Sequence, residues 1–473
     1  MRPSLALLLG ATLVLLVVST VSPSIPVAAQ SAGPGCLIAS PVPERTPDAP
    51  LLMPEDARLG LFDAVWGAIN AGYLDDTFNG VDWAAVGDEY APYFLQTENA
   101  WEVYDLVEEM VGLLQDDEVV FGSPLLVESL PPAEATYAGI GTLLDTSSSA
   151  DDSAGPLVLY VFAGSGAAEA GIQPRDRLVS VDGDPCVTIR AVRGPEGTTV
   201  TLGVESPGRP VREVTVERRR IEPLILPVAH RIGADDRIGY LRLPSVEGEA
   251  MPDAIATALG SLVDDDPIDG LVIDVRAANR GALGVTLALM SHVTDGSPGA
   301  LYSRTETITL ELPDSTLRSG LSEVPIAVLV DDSSAGEAER LALMLQASGR
   351  ATVLGQATPG RIRGVTEVPF PDGSVLQYVT VGLELANGTR PGRSGVTPDV
   401  ALEGEWLSYP EAEDPWILAA LELLESAGPA ASASPEAAES PEVSTSPEVS
   451  TSPEVSATPG ASPAVSPTPT AGS

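Results

Sequence analysis

The chain has 473 residues, of which 44% are hydrophobic, so its length allows several domains with real cores. Its formal net charge of -42 would repel a phosphate backbone at every approach, and aromatics at 4% leave little for base stacking, so nucleic acid is excluded as a partner. All 25 basic residues are arginine and none is lysine. A guanidinium with a pKa above roughly 12 stays charged at physiological pH, so chemistry that needs a deprotonatable side-chain amine is closed to this chain.

In chain order, Arg2, an apolar run from Leu5 to Val21 and Val27-Ala28-Ala29 before Gln30 form the pattern of a secretory signal peptide, residues 1–29. This predicts an extracytoplasmic protein, secreted or at the cell surface. An uncleaved anchor is the alternative, because the run approaches bilayer-spanning length. No second such segment follows, so no membrane span is expected after cleavage. Cys36 follows Gly-Pro-Gly rather than a lipoprotein-type box. It and Cys186 are the only cysteines, and either one disulfide or two buried thiols would satisfy them.

After a linker (30–58), apolar residues recur at helical spacing through Leu61, Val65, Ile69, Val103, Val107, Met110 and Leu114, predicting a helical domain over 59–130. Residues 137–220 switch to short strand-like runs, Leu157 to Phe162, Arg177 to Val181, Thr199 to Val204 and Val211 to Val216, broken by Gly, Pro and Asp. Residues 221–426 alternate apolar strands (Leu271 to Val275, Ile326 to Val330, Thr352 to Leu354) with helical segments, an α/β layer pattern closed by a helix over 415–424. The last segment, 427–473, is rich in Pro, Ser, Thr, Ala and Glu and repeats Ser-Pro-Glu-Val-Ser from Ser440, Ser446 and Ser452. It cannot bury enough apolar surface to offset its ordering entropy, so disorder is expected. The fold class is therefore α/β and multidomain.

Gly139-Ile140-Gly141, Ala170-Gly171-Ile172, Val181-Asp182-Gly183 and Arg193-Gly194-Pro195-Glu196-Gly197 occur in the order found in PDZ domains of bacterial secreted proteases. The resemblance implies that backbone N–H groups of Gly139, Ile140 and Gly141 hold a peptide's terminal carboxylate while the peptide adds a strand to the sheet edge. A PDZ domain that only packs against its neighbour is the alternative.

Further on, Gly239-Tyr240-Leu241-Arg242, Leu271-Val272-Ile273-Asp274-Val275-Arg276, Pro371-Asp372-Gly373 and Gly395-Val396-Thr397-Pro398-Asp399 resemble the C-terminal processing peptidases, also called tail-specific proteases. Phe78-Asn79-Gly80-Val81-Asp82-Trp83 is similar to that family's N-terminal region. The resemblance spans about Leu59 to Leu424 and implies a crotonase/Clp-protease-like core and a serine-lysine dyad. Aligned without gaps on Val328-Leu329-Val330-Asp331-Asp332-Ser333-Ser334-Ala335-Gly336-Glu337, the nucleophile position is Gly336 and the lysine position is Arg361, with Val365 where a helper glutamine often stands. Of the oxyanion strand's glycine pair only Gly281 is present, beside Arg280.

In a rival register Ser334 is the nucleophile, which needs two extra residues within a helix and would turn every later side chain by about 200°. No lysine is available to it, and His230 and His292, the only histidines, are read as structural or surface residues. Nor do dispersed histidines and cysteines give metal-site spacing, and no cofactor is expected. Asp264-Asp265-Asp266 reads as a solvated turn. Two functions stay open: a catalytically degenerate homologue that binds protein or peptide C-termini through its PDZ domain and core groove, and an active serine endopeptidase using Ser334.

Overall fold

The computed structural model describes residues 52–129, 137–145, 155–264 and 266–427. The expected signal peptide, Cys36, Asp265 and the repeat-bearing tail lie outside them.

The first region is built from α1 (Glu55–Gly72), α2 (Trp83–Gln96) and α3 (Ala100–Gly112), followed by β1 (Val120–Gly122) and α4 (Pro124–Ser129). Asp82 starts α2 by accepting from Ala85 N at 3.1 Å, and Asn99 starts α3 by accepting from Trp101 N at 3.1 Å, each satisfying an N–H that the helix leaves free. Leu61, Val65 and Ile69 repeat every four residues on α1 and bury against Trp83, Phe94, Val103, Val107 and Met110. Leu376 and Val379 of a later strand complete this core, which anchors the helices to the catalytic-type region.

The PDZ region carries β2 (Tyr137–Gly139), β3 (Thr142–Asp145), β4 (Leu157–Val161), α5 (Gly166–Glu169), β5 (Arg177–Val181), α6 (Ile189–Val192), β6 (Thr199–Glu205), β7 (Arg212–Glu217) and β8 (Arg219–Ile221). Five strands run in the order β3-β4-β5-β6-β7, and β2 pairs separately with β8. Alternate residues Val200, Leu202 and Val204 face a core with Val158, Leu178 and Val216. Among the described residues β3 is an edge strand, paired on one side only.

The α/β region comprises β9 (Val228–Ile232), β10 (Ile238–Arg242), α7 (Met251–Val263), β11 (Gly270–Asp274), α8 (Leu283–Val293), β12 (Gly299–Tyr302), β13 (Thr307–Thr309), α9 (Arg318–Leu321), β14 (Ile326–Val330), α10 (Glu337–Ala347), β15 (Ala351–Gly355), β16 (Gly364–Pro369), β17 (Val375–Leu385), β18 (Val400–Ala401) and α11 (Pro415–Ala427). Its main sheet runs β18-β15-β14-β11-β10-β9, parallel except for β9. Parallel strands covered on both faces need apolar residues at every position, and β10, β11 and β14 are buried throughout. Helices α7, α8 and α10 cover one face, and α11 with Trp406 and Trp416 covers the other. A second sheet, β1-β17-β12-β13 with β16 on β17, joins this region to the helices.

Candidate active-site cleft

In a parallel sheet the loops leaving the C-terminal strand ends gather at one edge, where α/β proteins place their sites. Here the turns after β11 (Val275 to Gly281) and β14 (Asp331 to Gly336) lie side by side, joined by Ala335 N donating to Ala278 O at 2.9 Å. Asp331 frames both. Its Oδ1 accepts from Ala277 N at 2.9 Å and Ser333 N at 3.2 Å, and its Oδ2 accepts from Trp406 Nε1 at 3.1 Å. Burial pushes the Asp331 carboxyl upward against the opposing pull of these donors.

Ser334 belongs to this frame. Its side chain is fully buried, its Oγ lies 2.9 Å from both Val275 O and Asp331 Oδ1, and it accepts from Asp331 N at 3.0 Å. The single O–H already faces two protein acceptors, and no face of the oxygen is open.

Gly336 adopts φ 64 and ψ -117 just before α10, a strained strand-to-helix turn that glycine takes without a Cβ penalty. A Cβ there would reach ordinary van der Waals contact with Arg361 O, at 3.9 Å, and meet nothing nearer, so the backbones of positions 336 and 361 are neighbours. The buried Glu339 carboxylate sets that distance. It accepts from Gly336 N at 3.0 Å, Arg361 N at 2.8 Å and Gly360 N at 2.6 Å, and it also takes the Thr358 hydroxyl. Glu339 was not singled out from sequence, although a Glu three residues after a helix N-cap is a capping signal.

Arg361 is exposed, and its side chain has no partner among the described residues. With Asp117, Glu118, Pro359, Gly360, Arg363 and Arg393 it lines a cleft of about 170 Å³. Arg363 is neutralised by Asp116, at 2.7 Å, and by Glu118, while Arg393 pairs with Asp117 at 3.0 Å. Gly281 packs so closely on Glu337 that any side chain there would overlap Glu337 Cβ. Its N–H donates to no described residue, and Glu337 N, first in α10, has no intrahelical acceptor. Arg280 is exposed and lies 3.6 Å from Glu247, and Val365 is exposed on β16.

Neither histidine reaches the cleft turns. His230 lies in β9 with Nε2 2.7 Å from Glu411, and His292 lies on α8 with Nδ1 2.6 Å from Ser315 Oγ. In the PDZ region Ile140 O accepts from Ala167 N at 2.9 Å and Gly141 O from Phe162 N at 3.0 Å; Gly139 bridges both Arg219 and Arg193, which engages the Ile140 N–H, while the Gly141 N–H donates to no described residue. Cys186 is not a free thiol, and Cys36 lies outside the described residues. No group of three metal-ligating side chains occurs among the described residues, and no described helix is long and apolar enough to cross a membrane.

Three family profiles match in succession: the Tricorn protease C1 domain over residues 54–112, a PDZ domain over 157–206 and peptidase family S41 over 237–402. Among characterised proteins the chain is similar to the carboxyl-terminal-processing protease of Synechocystis sp., 29% identical over 413 residues, covering 80% of this chain and 89% of that protein. It is likewise similar to carboxyl-terminal-processing peptidase 2, chloroplastic, of Arabidopsis thaliana, 28% identical over 376 residues, covering 75% and 70%. A crystal structure from Bacteroides fragilis described as an S41 protease shares the fold, with a TM-score of 0.56 at 18% identity over 77% of this chain and 97% of that one. With the helical region, the PDZ domain and the α/β core in the same order, the chain belongs to the C-terminal processing peptidases of family S41 that carry a PDZ domain.

Proposed function

We propose that this family member is an extracytoplasmic pseudoprotease that binds protein or peptide C-termini through its PDZ domain and core cleft without cleaving them. The observation that carries this reading is the approach of Gly336 to Arg361, 3.9 Å from a would-be Cβ to the Arg361 carbonyl, at the two positions that the family resemblance assigns to nucleophile and base. Neither residue supplies one, and with no lysine in the chain no other amine can take over. The buried, fully engaged hydroxyl of Ser334 speaks against the active-endopeptidase reading. Binding is supported by the unspent N–H group of Gly141 beside the open edge of β3, which suits a terminal carboxylate and an added strand.

The test is an activity assay on the protein beginning at Gln30, with casein and with peptides ending in apolar residues. No turnover is expected. Turnover that Ser334→Ala abolishes would overturn the reading and establish Ser334 as the nucleophile. The paired variant Gly336→Ser with Arg361→Lys should show weak hydrolysis that neither single change produces, because hydroxyl and amine must be present together.

A further inference from the structure

Arg175 stands in the loop between α5 and β5 of the PDZ domain at φ 75, a left-handed conformation that side-chain-bearing residues avoid. Such a residue persists where its surroundings over-determine it. Its side chain, 4% exposed, reaches out of the PDZ domain into the segment that precedes α11. There Nη2 lies 2.9 Å from Asp414 Oδ2, Nη1 donates to Tyr409 O at 3.0 Å, and the guanidinium sits 5.0 Å from the centre of the Trp406 ring.

Each of these partners is held in turn by the core. The fully buried Asp414 shares its carboxylate with Arg276 Nη1 at 3.0 Å and caps α11 by accepting from Trp416 N at 2.9 Å. Arg276 stacks 3.9 Å from the Trp406 ring centre and is bound to Asp274 at the end of β11. Trp406 Nε1 donates to Asp331, the carboxylate that frames the turns carrying Ala277, Ser334 and Gly336. Ala277, at φ 58, is a second strained residue, and it is held by that same carboxylate. An unbroken series of buried polar contacts therefore runs from the PDZ domain to both turns of the cleft.

We propose that Arg175 is a latch that fixes the PDZ domain on the core and couples the seating of that domain to the shape of the two cleft turns. Withdrawing the guanidinium leaves Asp414 to a single cation and removes one of the three guanidinium groups over the Trp406 ring, and a buried carboxylate stripped of one partner is strongly disfavoured. The 406–414 segment then loosens, and Trp406 no longer holds Asp331 in place. Because the ion pair is buried, salt does not substitute for this loss.

The test is hydrogen exchange across the full chain, comparing wild type with Arg175→Gly and Arg175→Lys. Glycine accepts the left-handed φ without strain, so the PDZ loop keeps its path and only the side chain is lost. Arg175→Gly is expected to speed exchange about tenfold in the 405–414 and 331–337 segments while leaving α1 to α3 unchanged. Arg175→Lys, which restores the charge without the paired nitrogens, should give a smaller change in the same segments. Unchanged exchange at 405–414 in Arg175→Gly would overturn the latch. Opening at 405–414 with 331–337 unchanged would overturn the coupling, and a uniform rise that includes α1 to α3 would show general destabilisation and overturn both. If Arg175→Gly does not fold, the same three outcomes are read on Arg175→Lys and on the isosteric Asp414→Asn.

Discussion

The cleft turns and the PDZ loop present opposite combinations of frame and chemistry. In the cleft, Asp331, Ser334 and Glu339 are buried and saturated with hydrogen bonds, so the backbone is held in detail, yet the two neighbouring positions it holds are a glycine and an arginine. In the PDZ loop the frame is slighter, with Ile140 and Gly141 anchored through their carbonyls, but the Gly141 N–H stays free for a ligand. In the cleft the architecture therefore rests on side chains other than those at positions 336 and 361. Hydrolysis needs a hydroxyl and a base at two defined atoms, whereas carboxylate binding needs only correctly aimed backbone.

Damage to the cleft frame should have the largest effect. Asp331→Ala would orphan the Trp406 indole N–H and the Ala277 N–H in the interior, and each buried donor without a partner carries a desolvation penalty. The expected loss is about 3–5 kcal/mol, seen as a lower urea midpoint with unchanged slope. A change below about 1 kcal/mol would mean that the frame is not the source of order in the cleft.

On the PDZ side the expected effect is next in size. A peptide with a free carboxylate should bind with micromolar affinity, about -8 kcal/mol, and amidating its terminus should weaken binding tenfold or more, about 1.4 kcal/mol. Equal calorimetric affinities for acid and amide would remove the carboxylate role from Gly139, Ile140 and Gly141. Ser334→Ala gives a smaller change, about 1–2 kcal/mol of stability, since Val275 O and Asp331 N lose their shared hydroxyl. It should leave peptide affinity at the PDZ loop untouched. A Ser334→Ala protein of unaltered stability would show that the hydroxyl is free rather than part of the frame.

Much of this was legible in the chain itself, and the reasons differ by element. Uninterrupted apolar runs such as Leu271 to Val275 and Ile326 to Val330 read as buried parallel strands because both faces need the same chemistry. The offset between Gly336 and Arg361 is readable along the chain, and two regular elements, α10 and β15, lie between them. The partners of Asp331 and Arg175 are not readable in this way. Trp406 and Asp414 lie far along the chain, inside a short irregular segment whose composition of Glu, Trp, Ser and Pro announces a loop, and only tertiary packing makes that loop a buried junction. Ser334 shows the same limit from the other side, because a serine in a nucleophile-like motif and a serine that closes a turn have identical sequences. The distinction lies in which oxygen neighbours the fold brings to 2.9 Å.

The smallest expected effect lies at the outer edge of the 406–414 junction, where His230 of β9 meets Glu411. The hydrogen bond to Glu411 raises the His230 pKa above its ordinary 6.5, outweighing burial, which opposes it. For Glu411 burial pushes upward, but the hydrogen bond and charge of His230, with Arg175 and Arg242 nearby, pull the carboxyl below its ordinary 4.5. A raised histidine contributes stability that is complete below 6.5 and fades as pH rises through its folded value. A lowered carboxylate contributes stability that is complete above 4.5 and fades as pH falls through its folded value. Both contributions are complete only between these limits, so the pair should stabilise most in mildly acid solution. His230 and Glu411 are 39% and 41% exposed, so solvent screens the pair and its contribution should be about 0.5 kcal/mol. His230→Gln should therefore lower stability at pH 5.5, within the window set by 4.5 and 6.5, and make little difference at pH 8. A penalty equal at both pH values would mean that the histidine acts by packing on Tyr240, whose ring centre lies 5.1 Å from its own, rather than by charge.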